Sequence, residues 1–91
     1  DNGNIAAEEY YINGKKEGIW KKWRHNGQLW SVLHFQDNKR HGAYKKWHAN
    51  GTLKVKGFYV NDKKERLWLY WSRDGHKIKE INYINGKKES P

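Results

Sequence analysis

At 91 residues and 35% hydrophobic content, the chain has room for one small domain with little core. Its 19 Lys and Arg against 10 Asp and Glu give a formal charge of +9, which favours anionic partners and also keeps an open sheet soluble. The absence of Cys excludes a disulfide framework and thiolate metal sites, and no apolar run is long enough for a membrane span or a signal core.

The chain opens at Asp1-Asn2-Gly3 and contains no Met. A processed or trimmed form is the expectation, and the compartment stays open between cytoplasm and export. From this first glycine a period runs through the whole sequence. Gly3, Gly27, Gly51 and Gly75 are each 24 residues apart, behind Asn2, Asn26, Asn50 and Asp74. Tyr11, Phe35, Tyr59 and Tyr83 keep the same step, as do Trp20, Tyr44 and Trp68, and Trp23, Trp47 and Trp71. Gly18 and Gly42 begin a further series that Arg66 and Ser90 continue without glycine. A fixed period of this length marks stacked units that bury their apolar sides only against their neighbours.

One unit reads as follows. Gly18 to Arg24 is short and ring-rich, which favours a strand. His25-Asn26-Gly27 is a turn, because Asn-Gly tolerates positive φ. Leu29 to Phe35 is a second strand, and Gln36 to His41 is a polar connection to the restart at Gly42. No stretch carries a helical period. The expectation is therefore an all-β domain over residues 1–91: an antiparallel meander of repeated β-hairpins with a 24-residue repeat. A partial repeat covers 1–17, and full repeats cover 18–41, 42–65 and 66–89.

Trp20 and Trp23 are three apart, so an unbroken strand sends them to opposite faces. A β-bulge at Lys21-Lys22 returns both to one face. A three-residue turn with Gly27 left-handed pairs Trp23 with Leu29. The bulged register places Trp20, Trp23, Leu29, Leu33 and Phe35 on one face, with Ile5, Ala7 and Tyr11 from the leading half-unit. The same face then holds Tyr44, Trp47, Leu53, Val55 and Tyr59, with Gly57 making room for a neighbouring ring. In the third unit it holds Trp68, Trp71, Ile81 and Tyr83, and Lys77 replaces the leucine. The alternative is a regular strand with one tryptophan exposed per repeat.

The second face is polar, and Trp30 and Phe58 are its candidate contact rings in either register. Lys15-Lys16, Lys39-Arg40, Lys63-Lys64 and Lys87-Lys88 recur at one position and are expected to project from one edge as a basic ridge. Such a ridge binds phosphate groups or an acidic protein, or serves only as a solvated edge that discourages pairing. Glu17, Glu65 and Glu89 dilute it. The five histidines lack the convergent spacing of a metal site, and no nucleophile–base–orienter set is visible. Neither an enzyme nor a cofactor is expected.

The run Tyr11-Ile12-Asn13-Gly14-Lys15-Lys16-Glu17-Gly18-Ile19-Trp20-Lys21-Lys22-Trp23, followed by Asn26-Gly27-Gln28-Leu29, resembles the variant MORN repeat. The pattern recurs from Phe35 and from Tyr59, and its first part closes the chain at Tyr83 to Glu89. It departs at Asn38 and Asp62, where a loop glycine is usual. The resemblance implies hairpins stacked into an elongated, twisted single-layer sheet. It also implies similarity to bacterial YwqK-type antitoxin-like repeat proteins and brings no catalytic residues.

Three functional readings follow. The first is a protein-interaction module, antitoxin-like or scaffold. The second is a peripheral binder of anionic lipid or nucleic acid through the ridge. The third is a structural repeat of a larger, exported protein. Open sheet edges leave self-association as a further outcome.

Overall fold

Two kinds of tight turn organise the chain, and both depend on residues that tolerate a left-handed backbone. The first kind contains Gly27, Gly51 and Gly75, with φ of 90°, 90° and 91°. The second kind is a two-residue turn with both φ values positive: Asn13-Gly14, Asp37-Asn38, Asn61-Asp62 and Asn85-Gly86. Paired positive φ values mark the hairpin turn that matches strand twist. Asn38 (72°) and Asp62 (71°) adopt the conformation of Gly14 (78°) and Gly86 (83°), so the missing glycines change nothing in the backbone path. The polar connection expected from Gln36 to His41 is thus a second hairpin, and each 24-residue unit contains two.

The computed structural model describes residues 6–89. The turn at Gly3, the apolar Ile5 and the restart at Ser90 lie outside the described residues. The strands are β1 (Ala6–Glu8), β2 (Tyr11–Ile12), β3 (Lys15–Lys16), β4 (Gly18–Trp23), β5 (Leu29–Gln36), β6 (Lys39–Arg40), β7 (Gly42–Trp47), β8 (Leu53–Val60), β9 (Lys63–Trp71), β10 (Lys77–Ile84) and β11 (Lys87–Lys88). Among the described residues there is no helix, and hence none long and apolar enough to cross a membrane. The sheet runs β1-β4-β5-β7-β8-β9-β10-β11 with antiparallel pairing throughout; β6 folds back on β5, and β2–β3 forms a small separate ribbon. The molecule measures 47 × 39 × 13 Å, a single layer of sheet.

Trp23 pairs with Leu29, as the turn geometry requires, but the irregularity lies on the opposing strand. Lys22 pairs with Ser31, so Trp30 is the extra residue. The step recurs at Lys54, between Trp47–Leu53 and Lys46–Val55, and at Ile78, between Trp71–Lys77 and Tyr70–Lys79. Strand β4 is regular, and Trp20 and Trp23 therefore occupy opposite faces. This corrects the bulged register: Trp23, Trp47 and Trp71 leave the ring face, with Leu29 and Leu53, and stay half-buried on the second face.

The core sits off-centre, between the second and third full repeats. Trp68 is 1% exposed, Tyr59 7% and Val55 8%, with Leu33, Tyr44, Tyr70 and Tyr83 packed around them. Opposite Gly57, β9 carries three residues where β8 has one: Lys56 pairs with Leu69 and Phe58 with Glu65. The extra length lays the Trp68 ring over the glycine. Arg66 takes φ of 66° to make this detour, where Gly18 (81°) and Gly42 (121°) stand in the other repeats.

Candidate functional site

The ring-bearing face consists of two aromatic clusters with a gap between them. In the first, Trp20 lies 5.2 Å from Tyr11 and 4.9 Å from Phe35. In the second, Trp68 lies 5.0 Å from Tyr59, 5.6 Å from Tyr44 and 6.1 Å from Tyr83. The two tryptophans are fixed alike. Trp20 Nε1 donates to the carbonyl of Tyr10 at 3.1 Å, and Trp68 Nε1 to that of Phe58 at 3.2 Å, ten residues upstream in each case. Burial raises the Tyr44 and Tyr59 phenols above the ordinary tyrosine value, although Arg40 opposes the shift at both. Burial, together with neighbouring Tyr83, pushes Tyr70 up to about 12.

The expected basic ridge is split by the geometry of the second hairpins. Lys15, Lys39, Lys63 and Lys87 are exposed at the edge, as is Lys88. Lys16, Arg40 and Lys64 instead turn inward, half-buried over the rings. Lys16 Nζ is 5.1 Å from the Trp20 ring and 5.0 Å from Phe35. The Arg40 guanidinium is 4.5 Å from Tyr59, and Lys64 Nζ 4.7 Å from Trp68. These are cation–π lids on the clusters. Two of the basic residues are also neutralised: Lys15 pairs with Asp37 at 3.2 Å and Arg40 with Asp62 at 3.0 Å.

The glutamates read as diluting the ridge tie neighbouring repeats together. Glu17 accepts from the backbone N–H of Asp37 at 3.0 Å, and Glu65 from that of Asn85 at 2.7 Å. At the equivalent position in the middle repeat, His41 Nδ1 accepts from Asn61 N–H at 3.3 Å. Each two-residue turn also donates to the carbonyl of the preceding basic pair: Asn38 to Lys16, Asp62 to Arg40, Gly86 to Lys64. At the opposite end of the sheet, Arg24 donates to the carbonyl of Trp47 at 3.2 Å, and His48 Nε2 contacts that of Trp71 at 2.9 Å. His41 and His48 are therefore inter-repeat clasps. Among the described residues no group of His, Asp and Glu could hold a metal.

Of the two candidate contact rings, Phe58 lies on the second face, half-buried beneath the Arg66 guanidinium at 4.7 Å. Trp30 does not. As the extra residue of its bulge it joins the ring face, with Arg24 at 5.2 Å and Lys46 Nζ at 5.5 Å from its ring. It lines a hollow of 560 Å³ with Trp20, Leu33, Phe35 and Tyr44 as apolar walls and Lys16, Lys22 and Lys46 around them. Among the described residues, no carboxylate lies within ion-pairing distance of these three lysines.

This hollow fills the gap between the clusters, and repeat-to-repeat substitution produces it. Ser31 pairs with Lys46 between the first and second full repeats; 24 residues on, Val55 pairs with Tyr70. Where Val55 and Tyr70 fill the space, Ser31 and Lys46 leave it open. Lys22, Ser31 and Lys46 escaped the sequence reading, because only alignment of the repeats at the position of Tyr70 sets them apart.

Residues 16–37 and 40–61 each match the model of the MORN repeat variant. No curated protein and no solved structure matches the chain. The chain thus carries two repeats of that kind, a non-catalytic unit found generally in modules that contact proteins or membranes. The hollow lies where these two matched repeats meet.

Proposed function

We propose that the chain is a non-enzymatic repeat module that binds an acidic protein surface on its ring-bearing face, in the manner of an antitoxin-like or scaffold protein. The observation that carries this reading is the hollow at the junction of the first two full repeats. Its rings are not sealed by a second layer, and its three lysines have no internal counter-ion among the described residues. A protein partner supplies what such a place lacks, namely an apolar group to cover the rings and carboxylates to meet the lysines.

The test is a pull-down from source-cell extract with the chain as bait, at low and at high salt. A single protein retained at high salt supports the reading and names the partner. Recovery only of salt-labile lipid or nucleic acid transfers the role to the exposed edge lysines, Lys39, Lys63, Lys87 and Lys88. Recovery of neither favours a structural repeat.

A further inference from the structure

Resting on that reading, we infer that the hollow seats one aromatic side chain of an extended acidic segment, held by Lys16, Lys22 and Lys46. The next junction in the same molecule serves as an internal control. There the Val55–Tyr70 pair, with Trp68 behind it, occupies the equivalent volume. The sheet therefore tolerates a ring in this position and packs it against the same strand rows. At the first junction the chain withholds that ring and puts Ser31 and Lys46 in its place. The walls that remain are aromatic, and they favour a planar guest through edge-to-face and offset contacts.

The cations specify what flanks the guest. Lys16 and Lys46 already lie over the Trp20, Phe35 and Trp30 rings, so their ammonium groups sit at the rim rather than out in solvent. Glu9 lies on the rim as well, and it sets a limit on how many negative charges the site accepts. The flanking groups are carboxylates a residue or two from the guest ring. A continuous polyanion is a poorer match. It requires a track of free cations, and the turn edge neutralises Lys15 and Arg40 with Asp37 and Asp62.

The probe is a capped, fluorescently labelled pentapeptide of one phenylalanine between two pairs of glutamates, followed by anisotropy at low salt. Binding is expected to fall about tenfold or more when the phenylalanine becomes alanine. It is expected to fall as far in the double variant Ser31→Val/Lys46→Tyr, which fills the hollow with the residues of the next junction. That variant's melting temperature should equal or exceed the parent's, which separates loss of the site from loss of the fold. Lys46→Gln keeps the shape, and a threefold or greater loss is expected from charge alone. Unchanged affinity of the filled variant overturns the inference, as does displacement of the peptide by oligothymidylate at equal concentration. Retention of the same extract protein by filled and parent chains also overturns the hollow while leaving the interaction reading intact.

Discussion

A Cβ built on Gly57 would lie 2.1 Å from the ring of Trp68, closer than any packed pair of atoms allows. The glycine is thus the floor on which the one fully buried tryptophan rests. Gly57→Ala is expected to cost about 2–3 kcal/mol by overpacking, because the ring is held by its bond to the Phe58 carbonyl and cannot slide. Trp68→Ala should cost about 3–5 kcal/mol. Trp47→Ala should cost only about 1–2 kcal/mol, since that ring is half-buried on the second face. Urea melts of the three variants check the ranking. A larger loss for Trp47 than for Trp68 would contradict the placement of the core.

Backbone sign makes an opposed pair of predictions. Gly27 has φ of 90° with open space around it, so any penalty there is conformational. Gly27→Val should lower stability by about 1–2 kcal/mol. Arg66 already bears a positive φ without being glycine. Arg66→Gly should relieve that strain, offset in part by loss of the contact with Phe58, for a net gain of up to about 1 kcal/mol. An unchanged melting temperature for Gly27→Val would sink the turn assignment.

Acid should loosen the clasp between the second and third repeats. Asp62 accepts from the backbone N–H and then the side chain of Arg40, and these bonds hold its carboxyl below the usual aspartate range. Its contribution is present above the unfolded value of about 4. It declines as pH drops further, because the unfolded chain takes up the proton first, and it is gone below the folded value. Asp62→Asn should flatten the fall of the melting temperature between pH 5 and pH 2 (both about). The change at neutral pH should be small, as the pair is largely exposed. Identical acid limbs for parent and variant would remove Asp62 from the account.

Alkali acts through the opposite sign. Tyr70 is raised to about 12, while an unfolded tyrosine ionises near about 10. Stability from this group is full below about pH 10 and declines above it, as the unfolded chain releases its proton while the folded one retains it. The loss runs up to the folded value. Tyr70→Phe should shallow this alkaline slope, and the raised Tyr44 and Tyr59 should maintain part of it. Melting temperatures between about pH 9 and pH 12 give the comparison.

The all-β meander was legible because its signals are local and repeated four times over. Asn-Gly turns, ring-rich strands and a constant step leave few other arrangements. Even the pairing of Trp23 with Leu29 followed from counting back from Gly27. The strand that would absorb the odd residue was not legible, since a bulge satisfies the turn equally well on either side. Placing it at Trp30 rather than Lys21-Lys22 moved one ring onto the ring face and three tryptophans off it. The second hairpins were hidden by Asp37-Asn38 and Asn61-Asp62, whose polar side chains read as a loop although their backbones turn as tightly as glycine. The hollow had the faintest trace of all. It is an absence at one junction of what another junction contains, visible only as Ser31 and Lys46 set beside Val55 and Tyr70.

The clasps between repeats reach a constant distance along the chain: 22 residues from Lys16 to Asn38, from Arg40 to Asp62 and from Lys64 to Gly86. Length in such a molecule is counted in whole units. Adding or removing 24 residues leaves every surviving clasp with its own partner and shifts the sheet margin by two strand spacings, roughly 9–10 Å. Adding or removing one residue misaligns the clasps at both ends of the sheet and swaps the faces of the strand that contains it. A gene encoding this fold can therefore grow by duplication while every intermediate remains foldable, and a new junction can open or close a hollow by changing only two residues.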